Sequence, residues 1–208
     1  MEEVLDLYHR PYDPLQPVLC LDEGLKQLIG EVKKPIPMKP GQPKRYDYEY
    51  EKHGTSNQFM LFEPLAAWRH VIVTENRTAI DYAHVIKEIA DVHYPDADCI
   101  HIVEDNLNTH KKASLYKAFE PEEAHRILQK VHFHKIPVHG SWLNMAEIEL
   151  HALNTQCLNR RIDDRSYLID EIKSWEDHRN HQEITVDWQF QTADARIKLK
   201  KLYPSIHA

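Results

Sequence analysis

Two apolar runs in this 208-residue chain stop at acids, and those acids are the first candidates for chemistry. Val18-Leu19-Cys20-Leu21 leads into Asp22-Glu23, and Cys99-Ile100-His101-Ile102-Val103 leads into Glu104-Asp105. Short apolar runs bounded by polar residues are expected to be buried strands. In open α/β sheets functional groups gather beyond the carboxyl ends of such strands. If the two strands are neighbours, Asp22 and Asp105 come close together, where like charge is costly unless a cation intervenes. Carboxylate oxygens with room for water and phosphate oxygens suit Mg²⁺ or Mn²⁺. A third acid is expected after Ser141, where Leu143, Ala146, Leu150, Leu153 and Cys157 follow helical spacing. Glu147 flanks one edge of that stripe and Glu149 the other, so periodicity leaves both open.

The elements that must position these acids follow from turn and pattern chemistry. Pro11, Pro14 and Pro17 make residues 1–17 an extended lead-in. The prolines at 35, 37, 40 and 43, with Gly30 and Gly41, predict a loop over 24–45 inserted after the first strand. Extended segments over 45–52, 57–63 and 70–74, with turns at 53–55 and 64–68, predict an antiparallel meander. Thr78 is placed to cap a helix reaching about residue 92. A short basic helix over 111–119, a loop insertion around 121–125 and a short strand over 131–134 follow. Ser141 is expected to cap an amphipathic helix to about residue 158, and 165–179 to form another helix. The order predicts an α/β domain over 18–182 whose later strands are parallel to the first, with a tail over 183–208.

A formal charge of −7 disfavours a chain that binds nucleic acid over its whole surface. The charge is unevenly spread, however. Lys26, Lys33, Lys34, Lys39, Lys44 and Arg45 face the single acid Glu31 between residues 25 and 45. Cys20, Cys99 and Cys157 lack paired spacing and are expected to be reduced and structural. No apolar run reaches the roughly 20 residues of a membrane span, and Met1-Glu2-Glu3 does not open a leader peptide, so no membrane role and a cytoplasmic, nucleoid-associated location are expected. His132, His134 and His139 raise zinc, but no CxxC or HExxH spacing accompanies them.

Three segments together carry a family resemblance. Leu21-Asp22-Glu23, Val103-Glu104-Asp105-Asn106-Leu107-Asn108-Thr109-His110 and Pro137-Val138-His139-Gly140-Ser141-Trp142-Leu143-Asn144-Met145-Ala146-Glu147 resemble the three acidic motifs of mariner-like DDE transposases. Residues 187–196, followed by Leu202-Tyr203-Pro204, are similar to the tail of the bacterial insertion-sequence branch. The resemblance implies a ribonuclease H-like fold, a mixed five-stranded sheet with helices on both faces. It also implies two Mg²⁺ or Mn²⁺ ions held by Asp22, Asp105 and Glu147, supporting roles for Asn106, His110 and Asn144, and DNA cleavage and strand transfer by two-metal phosphoryl transfer, with insertion at a TA dinucleotide. His110 would orient a carboxylate or phosphate, or else cap the helix that follows. The loop over 24–45, with Lys33, Lys34, Lys39, Lys44 and Arg45, would reach DNA or the partner in a homodimer. Family members carry helix-turn-helix modules ahead of the catalytic domain, and the residues before Asp22 are too few to hold one. A non-catalytic oligomerisation or inhibitory fragment and a stand-alone ribonuclease H-like nuclease are therefore the competing expectations.

Overall fold

The computed structural model describes residues 1–203, so Pro204 of the tail motif lies outside the described residues. Five strands, β1 (Val18–Glu31), β2 (Tyr50–Glu63), β3 (Trp68–Thr74), β4 (Ile100–Glu104) and β5 (Val131–Lys135), form one sheet in the order β3-β2-β1-β4-β5. β1, β2 and β3 are an antiparallel meander, and β4 and β5 join parallel to β1. Period-two alternation splits the strand side chains between two cores. Leu19, Leu21, Phe59, Leu61, Ile100 and Ile102 bury against α2 (Ala79–Glu88), α3 (Lys112–Ala118) and α4 (Pro121–Lys130). Cys20, Met60, Phe62 and Val103 bury on the opposite face, under α1 (Glu2–Tyr8), α5 (Ala146–Gln156), α6 (Arg165–His181) and α7 (Thr192–Lys198). The mixed sheet with helices on both faces is as the sequence predicts.

Several local expectations are corrected. The lead-in is not extended throughout, because Val4, Leu5, Leu7 and Tyr8 give residues 2–8 an amphipathic stripe that buries as α1 before the first proline. β1 does not stop at Asp22. It continues to Glu31 because β2 pairs with it in register from Cys20↔Phe62 to Glu31↔Tyr50, satisfying its backbone where side-chain patterning is weak. The expected turn at 53–55 is instead a bulge: β2 holds one extra residue between Gln27↔Thr55 and Ile29↔Lys52, with Gly54 at φ 93°. The excursion shrinks to residues 32–49, where bridges Ile36↔Arg45 and Lys39↔Gln42 make a small hairpin turning at Gly41. Residues 121–125 are the start of α4 rather than a loop, since Pro121 occupies a first-turn position that needs no N–H donor.

Lead-in and tail share the core of the domain. Arg196 pairs with Glu2 at 2.8 Å, and Ala195 is buried in the same cluster as Val4 and Leu5. Near them lies a histidine group on the β4–β5 surface. His101 Nδ1 is 2.9 Å from His134 Nε2, whose Nδ1 lies 2.6 Å from Glu3, and Arg10 Nη1 is 3.3 Å from His101 Nε2. Burial first, then the charges of His134, Arg10 and His132, push His101 from 6.5 down to about 4. Between those values the unfolded chain binds a proton that the folded chain refuses, so stability falls as pH drops from about 6.5 towards 4. Urea midpoints measured across that window are expected to fall with pH in the parent and to flatten in His101→Gln; parallel curves for the two proteins would contradict this assignment.

Candidate active site

Register alone brings two acids level. β1 and β4 pair over Val18↔His101, Leu19↔Ile102 and Cys20↔Val103, and two further steps along both strands set Asp22 beside Asp105. Asp22 shares the face of Cys20, and Asp105 lies just past the end of β4, its Oδ1 2.8 Å from His110 Nδ1. Asp22 Oδ1 accepts the Glu23 N–H at 2.8 Å, and Asp105 Oδ1 accepts the Leu107 N–H at 3.0 Å, turning the chain at the strand end.

Asn144 places the third acid. Its Nδ2 donates to the Leu21 carbonyl at 2.8 Å, and its Oδ1 accepts the Ala146 N–H at 3.2 Å, so this buried amide pins the start of α5 to the residue before Asp22. These bonds hold Asn144 extended and split the single helix expected from Ser141 into a 3₁₀ turn, Ser141–Leu143, and α5 proper. Glu147 then lies exposed in the first turn of α5, where the helix dipole favours a carboxylate.

Burial, then the charges of Glu147 and Asp105, push the Asp22 carboxyl up from 3.8 to about 6. None of the three pairs with a lysine or arginine among the described residues. They are spread more widely than the two histidine-containing clusters elsewhere, whose ligand atoms lie within 4.8 Å of one another. Nearby, the Gln58 amide is buried and no protein group satisfies it. An open set of hard oxygen donors carrying excess negative charge fits a hard divalent cation.

The opposite face carries acids that are neutralised. Glu104, fully buried, is 2.7 Å from Lys135 Nζ and accepts the Tyr82 hydroxyl at 2.8 Å. His110 is buried as well, with Nε2 2.8 Å from Glu23 Oε1, Nδ1 2.8 Å from Asp105 Oδ1, and Tyr82 stacked on its ring at 4.6 Å. Burial opposes the charged ring, but the Glu23, Glu104 and Asp105 carboxylates outweigh it and raise the His110 pKa, and the ring lies among these acids rather than capping the helix that follows. Asn106 is exposed and donates to the Ile136 carbonyl, tying the Asp105 loop to the segment leading towards α5. Sequence reasoning missed Glu23, Glu104, Tyr82 and Lys135 as partners, although strand alternation already assigns Glu23 to the face away from Asp22 and Glu104 to the face away from Val103.

Glu149 is resolved by its neighbours. Its side chain is 1% exposed and receives Arg179 Nε at 2.8 Å and Nη2 at 3.0 Å, with Arg69 Nε 3.3 Å away. Arg69, itself fully buried, donates to the carbonyls of Ala67, Arg179 and Ile184. Glu149 therefore joins α5 to β3 and α6, and Glu147 is the one of the two acids that stays exposed and without a lysine or arginine partner among the described residues. The predicted basic residues lie apart on the 32–49 hairpin. Lys33 is neutralised by Asp47 at 3.0 Å, and Lys44 sits over Tyr46 at 4.7 Å, while Lys34, Lys39, Lys44 and Arg45 form no ion pair among the described residues.

A five-stranded mixed sheet with helices on both faces, an antiparallel meander joined by two strands parallel to the first, is a ribonuclease H-like fold. The family model described as DDE superfamily endonuclease matches residues 17–169, and the chain belongs to that family. Among solved structures it is similar to the Mos1 transposase paired-end complex with left transposon end, at TM-score 0.54 and 15% identity, over 88% of this chain and 55% of that one. The Mos1 strand transfer complex gives TM-score 0.53 at 15% identity, over 88% and 54%. The chain thus spans about half the length of the Mos1 chains it matches. No curated protein sequence matches.

The two candidate glutamates are expected to separate in stability. Glu149→Gln leaves the buried Arg69 guanidinium and the partly buried Arg179 guanidinium without their carboxylate and is expected to cost about 3 kcal/mol or more. Glu147→Gln, in an exposed turn, is expected to stay within about 0.5 kcal/mol. Chemical denaturation of both variants checks this, and equal losses would overturn the division of roles.

Proposed function

We propose that this chain is the catalytic domain of a mariner-like transposase of a bacterial insertion sequence, cutting DNA at transposon ends and joining the freed 3′ ends to target DNA. One observation carries the proposal: strand register sets Asp22 level with Asp105, Asn144 pins the start of α5, with Glu147, to the strand before Asp22, and none of the three acids pairs with a lysine or arginine among the described residues, whereas Glu104 and Glu149 do. Asp22, Asp105 and Glu147 would hold two Mg²⁺ or Mn²⁺ ions. When bound, such ions supply activation of the attacking oxygen and neutralise charge on the leaving one.

The chain's own residues set the stage for that chemistry. Asn144 keeps Glu147 against the Asp22 strand, and His110 fixes the orientation of Asp105 from below while Lys135 binds the Asp105 and His110 carbonyls at 2.9 and 2.7 Å. A rigid carboxylate cradle of this kind favours in-line displacement at phosphorus by positioning, with no covalent protein intermediate. The hairpin over 32–49, with Lys34, Lys39, Lys44 and Arg45 and with Met38 and Tyr48 at 75% and 85% exposure, is suited to contact DNA phosphates or the second copy in a homodimer. That the similar Mos1 structures hold a transposon end and a strand-transfer assembly supports DNA as the substrate.

Asp105→Asn is expected to fold normally and to lose Mg²⁺- or Mn²⁺-dependent cleavage of DNA by more than about 100-fold. A nicking assay with supercoiled DNA, with circular dichroism as the folding control, reads this directly. Undiminished nicking by the variant would remove the carboxylate set from the mechanism.

A further inference from the structure

Far from the carboxylate cleft, three side chains converge where the edge strand β3 meets the end of α2. His70 Nε2 lies 3.7 Å from Glu88 Oε1, and His93 Nε2 lies 3.5 Å from the same oxygen. All three ligand atoms fall within 4.8 Å of one another. Ligands about 2.0–2.1 Å from a tetrahedral Zn²⁺ sit about 3.4 Å apart, so the two measured edges are already near bonding geometry.

The local backbone explains how His93 arrives there. In an α-helix a residue five positions on points about 140° away. Here α2 continues as a π turn, Ile89–His93, closed by the Tyr94 N–H to the Ile89 carbonyl at 3.0 Å, which swings His93 round to the side of Glu88. The His93 Nε2 is buried and no protein group satisfies it. His70 is held from behind: its Nδ1 is 2.8 Å from Glu176 Oε1, and Glu176 Oε2 in turn accepts the Val71 N–H at 2.9 Å. With its proton on Nδ1, His70 directs the Nε2 lone pair at Glu88, the carboxylate–histidine relay that orients metal-ligating imidazoles. Trp68 packs against both rings, at 6.0 and 5.0 Å, and limits their rotation.

We propose that His70, Glu88 and His93 form a transition-metal site of the Zn²⁺ class, with Glu176 as the positioning residue and the fourth position open to water. Two imidazoles and one carboxylate favour Zn²⁺, and Co²⁺ as its spectroscopic substitute, over Mg²⁺. Bound metal would fasten the edge strand to α2 and, through Glu176, to α6.

Titration of the metal-free full chain with Zn²⁺ and with Co²⁺ tests this, with Cys99→Ala and Asp105→Asn as backgrounds that remove ligands of the two other clusters. The expected result is one equivalent of Co²⁺ showing visible ligand-field bands without a near-ultraviolet thiolate band, retained in both backgrounds. Zn²⁺ affinity should fall about 100-fold in His93→Gln and in Glu88→Gln, and about 10-fold in Glu176→Gln. Zn²⁺ should also raise the melting temperature of the parent but not of Glu88→Gln. Glu88 is 39% exposed on its side chain, so that variant remains informative if His93→Gln fails to fold. Absence of binding, binding unchanged in Glu88→Gln, or a thiolate band lost in Cys99→Ala would each overturn the assignment.

Discussion

Parallel pairing of two central strands sets the cost that the surrounding structure must meet. Three residue pairs between β1 and β4 are enough to bring Asp22 level with Asp105, and Asn144 ties the start of α5, where Glu147 lies, to the residue before Asp22. Like charges gathered at the end of a sheet repel, and Asp22 registers this together with its burial in a carboxyl pushed up to about 6. Such an arrangement persists only because the sheet and two buried cores over-determine it. Its natural complement is a cation with a high charge density.

What separates this cleft from its surroundings is the distribution of positive charge. The neighbouring acids Glu23, Glu104 and Glu149 are matched respectively by His110, by Lys135 and by the Arg69–Arg179 pair. Each match does structural work as well: His110 braces the Asp105 loop, Lys135 gathers its carbonyls, and Glu149 joins α5 to β3 and α6. The cleft acids therefore stand on a scaffold whose own charges are already compensated. Strand alternation contributes to the sorting, since successive residues Asp22 and Glu23 of β1 fall on opposite faces.

Much of this is legible in the primary structure, and the failures have physical causes. Apolar runs ending in acids locate β4 and the start of β1, and helical spacing finds α2, α5 and α6, because these elements bury continuous stripes. The far half of β1 escapes detection, since it is held by pairing with β2 rather than by burial. The helix break at Asn144 is invisible to periodicity, because it depends on a hydrogen bond to Leu21, 123 residues away. Glu147 and Glu149 flank the same stripe, and the arginines that claim Glu149 lie at positions 69 and 179, so only the folded chain divides them. The same is true of the histidines: no ligand spacing accompanies His132, His134 and His139, and His70, Glu88 and His93, distant in sequence, are brought together only by an edge strand and a π turn.

Anomalous diffraction from crystals of the protein soaked in Mn²⁺ is the most direct examination of the carboxylate cleft. Density bounded by Asp22, Asp105 and Glu147, with Glu149 still engaged by Arg69 and Arg179, is the predicted result. Manganese absent from that cleft at saturating concentration, or bound through Glu149 instead, would contradict the account.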